Sequence, residues 1–137
     1  MAEHDSEAVA TLSGQLGYPV SDSQVRNRFL RIAATFGNGL FVALNEQQAL
    51  VGWVHVHTVD RLQVERYAEI GGIVVAAACR GGGVGRSLMV SAEKWAADSG
   101  YDRINLSSGA HRHEAHAFYE RIGYSNINTS FRFEKLL

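Results

Sequence analysis

The chain has 137 residues, 46% of them hydrophobic, with 13 basic against 14 acidic side chains and a net charge of −1. That length supports one core and is short for two ordinary domains, so a single domain over residues 1–137 is expected. The absence of any basic block argues against a nucleic-acid surface, the lone Cys79 excludes an internal disulfide, and no apolar run approaches the roughly 20 residues that cross a bilayer. With no signal-peptide pattern, a cytoplasmic protein is expected.

Two helices open the chain. Val9, Leu12 and Leu16 recur at helical spacing after Asp5, and Val25, Phe29, Ile32 and Phe36 do so after a Ser21-x-x-Gln24 capping pattern. Gly17-Tyr18-Pro19 is the turn between them. Leu40–Leu44 and Leu50–Val59 read as strands joined through Asn45-Glu46-Gln47-Gln48, and Tyr67–Val75, mostly apolar, reads as a central strand. Val84, Leu88, Ala92, Trp95 and Ala96 mark a long amphipathic helix that stops at Gly100. Ile104–Ser107 alternates as a short strand, Ala115, Phe118 and Ile122 set a helix face that Gly123 ends, and Thr129–Leu137 reads as a last strand. This order predicts an α/β fold with a mixed sheet.

Between the strand ending Ile73-Val74-Val75 and the long helix lies Arg80-Gly81-Gly82-Gly83-Val84-Gly85-Arg86-Ser87. A strand feeding a glycine-rich turn and then a helix aims free N–H groups and a positive dipole end at one point, which suits a pyrophosphate. A P-loop fails here because Arg80 stands at its first glycine and Arg86 at its lysine. A Gly-x-Gly-x-x-Gly fingerprint fails at Arg86 or Leu88, depending on its start. Arg-x-x-Gly-x-Gly fits on Arg80, Gly83 and Gly85.

That last pattern resembles the acyl-coenzyme A loop of the GNAT acetyltransferases. Ala115-His116-Ala117-Phe118-Tyr119-Glu120-Arg121-Ile122-Gly123-Tyr124 is similar to the family's Ala-x-x-Phe-Tyr-x-x-x-Gly-Tyr/Phe segment, and the likeness runs over roughly residues 5 to 137. It implies a GNAT-like, mostly antiparallel mixed sheet with flanking helices. Only four residues precede Asp5, so the family's first strand is truncated or absent. The family often has Asn where this chain has Arg112.

The resemblance implies direct transfer of an acetyl group from acetyl-coenzyme A to a primary amine of a small molecule, aminoglycoside-like or polyamine among the choices. A non-catalytic acyl-coenzyme A binding module is the alternative. The N–H groups from Gly81 to Ser87, helped by the guanidinium groups of Arg80 and Arg86, would hold the pyrophosphate. Ile73, Val74 and Val75 would pair with the pantetheine arm, with Val75 N–H polarising the thioester carbonyl. Arg112 would take the coenzyme contact of the usual Asn, or pair with Glu114 or Glu120. Tyr119 is the candidate acid for the departing thiolate, against a half-buried packing role. Glu69 is the candidate acceptor of the amine's proton, against facing solvent or pairing with Arg66.

His55 and His57 share a strand face with Trp53 and could line the acceptor pocket, ranking behind Glu69 as bases. Together with His111, His113 and His116 they lack a cysteine or carboxylate at closed-site spacing, so no metal is expected. Cys79 beside Arg80 invites a covalent acetyl-enzyme, but the resemblance favours a thiol with no role. Tyr18 would wall the acceptor site or pack its ring. Thr129–Phe133, as an exposed edge strand, would suit a homodimer.

Overall fold

The computed structural model describes residues 1–137 and divides them into two compact units, Met1–Leu106 and Ser107–Leu137. The first unit opens with a 3-10 turn over Glu3–Asp5. Helix α1 is Ser6–Gln15 and α2 is Asp22–Ala33. The capping pattern before α2 forms as read: Gln24 N–H donates to Ser21 Oγ (3.1 Å) and Ser21 N–H to Gln24 Oε1 (3.0 Å), so two otherwise orphaned donors are satisfied reciprocally. The helix stops at Ala33, one turn before Phe36, which is 85% exposed. The apolar period there outlasts the helix, because nothing packs on a further turn.

The sheet has the order β1 (Asn38–Leu44), β2 (Leu50–Arg61), β3 (Val64–Val75), β4 (Ile104–Leu106). The first three strands are antiparallel neighbours, and β4 runs parallel to β3. In the β1–β2 connection Asn45 Oδ1 accepts the N–H groups of Gln47 (3.0 Å) and Ala49 (2.9 Å), an Asx turn that closes the hairpin.

The two faces of β2 divide the core. Val54 and Val56, both fully buried, face helix α3 (Val84–Asp98), which buries Leu88, Met89, Ala92 and Ala96. A Cβ on Gly52 would stand 2.9 Å from Leu88 Cδ1, so the absent side chain is what lets α3 lie on the sheet. The opposite face packs Trp53 against Val9, Ala10 and Val25 of α1 and α2, and Trp53 Nε1–H donates to Ser13 Oγ (3.1 Å). Tyr101 N–H closes the end of α3 on Ala96 O (3.0 Å), just beyond Gly100 as read.

The second unit contains α4 (His113–Arg121), whose last turn closes through Tyr124 N–H to Tyr119 O (2.9 Å). Residues 125–137 form no strand, contrary to the reading of Thr129–Leu137, and Phe131 and Phe133 are 84% and 94% exposed. Alternation alone does not make a strand: its backbone needs a ladder partner, and the sheet contains none for this segment. The edge-strand basis for a homodimer goes with it.

Met89 is fully buried under the sheet. Met89→Ala is expected to lower stability by about 2–5 kcal/mol, read as a reduced urea midpoint, because both transfer free energy and packing are lost.

Candidate functional site

The register of β3 shifts once, at the Gly71-Gly72 pair. Ile70 stands opposite Val56 and Gly72 opposite His55, so Gly71 is an extra residue with no partner on β2. The bulge reverses which way the backbone points. Ala68 N–H donates to Arg103 O on the β4 side (3.2 Å), whereas Ala76 N–H donates to Val51 O on the β2 side (2.8 Å). Because directions alternate along a strand, Val74 also turns toward β2, and Ile73 and Val75 turn their N–H and C=O away from it. Pairing with β4 ends at Ile70 opposite Leu106. Within the sheet, Ile73 and Val75 therefore offer open donors and acceptors. Val74 does not: its backbone serves β2, its side chain is 7% exposed, and its part is packing.

A 3-10 turn over Ala77–Cys79 leads from this edge into the glycine loop. Gly81 (φ +81°) and Gly83 (φ +88°) are both left-handed, a conformation that L side chains rarely adopt. The first helical bond of α3 runs from Ser87 N–H to Gly83 O (3.0 Å), and Gly82 N–H donates to Cys79 O (3.3 Å). The free array is thus Gly81, Gly83, Val84, Gly85 and Arg86, and the N–H groups of Gly82 and Ser87, expected in it from the sequence, are spent inside the loop and helix. Arg80 and Arg86 are exposed beside it. Five backbone donors, two guanidinium groups and the positive end of a four-turn helix fit a pyrophosphate.

Facing α1 and α2 on the sheet, three polar side chains gather. Glu69 is directly opposite His57, and Glu69 Oε2 lies 3.5 Å from His57 Nε2, with both side chains about one-quarter to one-third exposed (26% and 31%). Glu69 does not pair with Arg66, whose guanidinium is taken by Asp60 at 2.9 Å. The His55 and His57 rings are 5.5 Å apart, and His55 Nε2 lies 2.8 Å from Asn38 Oδ1. Burial, and then the neighbouring His57, hold the His55 imidazole below its ordinary range. Asn38 was missed in the sequence reading. Its signal was weak, an Asn at the start of an edge strand, and only the β1–β2 register puts it near His55.

In the second unit Arg112 is the exposed N-cap of α4, where a cation gains nothing from the helix dipole. Tyr119 is half-buried, its ring 5.3 Å from Phe118 and 6.1 Å from Tyr124. His116 Nε2 donates to Gly109 O (2.9 Å), which ties the start of α4 to its own loop. Tyr18 is 57% exposed, so its ring does not pack in the core. A depression of ≈ 750 Å³ between α1 and the β1–β2 hairpin holds none of the candidate residues. No helix is long and apolar enough to cross a membrane.

These features define an acetyltransferase fold of the GNAT type, and the family model "Acetyltransferase (GNAT) family" matches residues 2–124. The chain belongs to that family. It is similar to the aminoalkylphosphonate N-acetyltransferase of Salmonella typhimurium, 35% identical over 89 residues that cover 64% of this chain and 56% of the relative. The chain spans about half the length of the curated relatives it matches. Among solved structures it resembles an acetyltransferase from Agrobacterium tumefaciens str. C58 (TM-score 0.85, 26% identity, covering 98% of this chain and 96% of that one). It also has the fold of the aminoglycoside N-acetyltransferase AAC(6')-Iy, solved in complex with CoA (TM-score 0.86, 16% identity, covering 98% and 91%).

Gly83→Val should weaken coenzyme A binding about 100-fold or more, since a β-branched residue at φ +88° displaces several charge-assisted donors together. Calorimetry with coenzyme A checks this. Unchanged affinity in a folded variant removes the loop from the binding site.

Proposed function

We propose that this protein transfers the acetyl group of acetyl-coenzyme A directly to a primary amine of a small molecule. The observation that carries the reading is the continuity of the open β3 edge with the free N–H array of Gly81–Arg86, one chain segment offering amide partners and then an anion site. Two relatives support an amine acceptor: one is named for aminoalkylphosphonates and another for aminoglycosides. Bound acetyl-coenzyme A supplies a thioester whose carbonyl carbon accepts the nitrogen.

This chain's residues divide the work. The N–H groups of Gly81, Gly83, Val84, Gly85 and Arg86, with the guanidinium groups of Arg80 and Arg86, bind the pyrophosphate. Ile73 and Val75 bind the pantetheine arm through their outward backbone, and Val75 N–H is the donor for the thioester oxygen. Tyr119 donates the proton that the departing sulfur needs. The Glu69 carboxylate draws in the acceptor's ammonium group, and the cluster it forms with His55 and His57 takes up the proton. Acyl transfer then needs no enzyme-linked intermediate, and Cys79 stays a spectator in its turn.

The test is thiol release from acetyl-coenzyme A with a panel containing an aminoalkylphosphonate, an aminoglycoside and a linear polyamine. Turnover with at least one is expected, and coenzyme binding with no turnover across the panel would leave a binding module. Tyr119→Phe is expected to lower kcat by about 100-fold to 10,000-fold while leaving coenzyme affinity near wild type, because the hydroxyl acts only as charge develops on sulfur. Cys79→Ala should retain full turnover, and mass spectrometry with acetyl-coenzyme A alone should find no acetyl group on Cys79.

A further inference from the structure

Hydrogen bonding on the α1/α2 face of the sheet fixes where protons sit. Asn38 Nδ2–H donates to Thr35 O (3.2 Å), which orients the amide so that Oδ1 faces His55 Nε2 at 2.8 Å. An amide oxygen accepts only, so the His55 proton is on Nε2 and its Nδ1 carries the lone pair. His57 is arranged the other way. Its Nδ1–H donates to Thr58 O (3.3 Å), which leaves its Nε2 turned to the Glu69 carboxylate at 3.5 Å.

Space accompanies the lone pair. A Cβ on Gly71 would come within 3.1 Å of His55 Nδ1 and 3.2 Å of His57 Cδ2, and Gly71 is exposed. The missing side chain leaves His55 Nδ1 open at the bulge, one residue past the end of β3–β4 pairing. Glu69, by contrast, has an oxygen occupied by His57.

Resting on the acetyl-transfer reading, we propose that His55 Nδ1 is the atom that takes the proton from the acceptor's ammonium group, that Asn38 is its positioning residue, and that the His57–Glu69 pair attracts the cation. One proton passes from the ammonium nitrogen to Nδ1 and later to solvent. The freed amine then forms the C–N bond as the C–S bond breaks. Nitrogen loses a second proton and sulfur gains one, so the products are amide, thiol and one released proton.

The groups around His55 leave this assignment few competitors. On its own strand His57 acts on it directly; β1 contributes the neutral Asn38, and the N-terminal ammonium donates to Leu40 O (3.0 Å), on the β1 residue opposite His55. From β3, Glu69 reaches it through His57, while Arg66 is held by Asp60. On α1 the one titratable group, Glu7, is exposed; on α2 Asp22 pairs with Arg26, and Arg28 and Arg31 are exposed. Arg86, Glu93, Lys94 and Asp98 of α3 lie across the sheet on its other face.

The experiment measures kcat/KM against pH for wild type, His55→Gln and Asn38→Asp, with the best amine of the panel and a second amine of different basicity. It adds ¹⁵N NMR of the imidazoles in the full chain. The spectrum should show a protonated Nε2 and bare Nδ1 on His55. Wild type should lose activity as pH falls and His55 protonates. His55→Gln should fall about 100-fold to 10,000-fold and lose that limb while binding coenzyme A normally. Asn38→Asp places a carboxylate against Nε2–H, favours the imidazolium and should move the limb up by about one pH unit with both amines. Wild-type turnover in His55→Gln, an unmoved limb in Asn38→Asp, or an Nδ1–H tautomer would overturn the assignment and leave acetyl transfer standing. A wild-type chain that binds coenzyme A and acetylates no amine would overturn both.

Discussion

The single extra residue at Gly71 is the constraint on which the first unit's chemistry depends. Without it, the backbone parity of β3 would run unbroken from Ala68 to Ala76, and the groups at Ile73 and Val75 would be spent on β2. With it, one strand first accepts β4 as a parallel neighbour and then presents an open edge. Because a glycine fills the bulge, the same point is bare enough for two imidazoles to be reached from outside. A larger residue would keep the parity change but cover His55.

Electrostatics are divided along this strand. With an overall charge of −1 the net field is small, so the charges of the proposed coenzyme and amine would have to be met locally. Toward the end of β3 the backbone supplies partial positive charge through the unpaired N–H groups of the α3 terminus, with arginines as adjuncts. Around Glu69 the sign reverses. An anionic coenzyme and a cationic amine would therefore be held at opposite ends of a short stretch of sheet, with the outward backbone of Ile73 and Val75 between them.

Packing keeps that strand in place. α3 can lie close on β2 because Gly52 has no side chain, and Val54, Val56, Leu88 and Met89 then interlock on one face while Trp53 anchors the other to α1 through Ser13. The glycines at Gly52 and Gly71 both act by what they lack: a Cβ on the first would meet Leu88, and one on the second would crowd His55 and His57.

The sequence by itself determined the features whose cause is local. The Ser21–Gln24 capping box, the Asx turn at Asn45, the end of α3 and the left-handed loop before Val84 all depend on residues within a few positions of one another, and local sterics suffice to place them. Family membership was legible for the same reason, in the Gly83/Gly85 loop and the Phe118-Tyr119 helix. Tertiary structure decided whatever needed a partner from elsewhere in the chain. Phe36 and Thr129–Leu137 carried a helical period and an alternation with nothing to pack or pair against, so neither became the element its pattern allowed. The bulge at Gly71, the turning of Val74 toward β2, and the meeting of Asn38, His55, His57 and Glu69 arise from strand register. Register is fixed by the buried faces of three strands together, and no stretch of sequence read alone contains it.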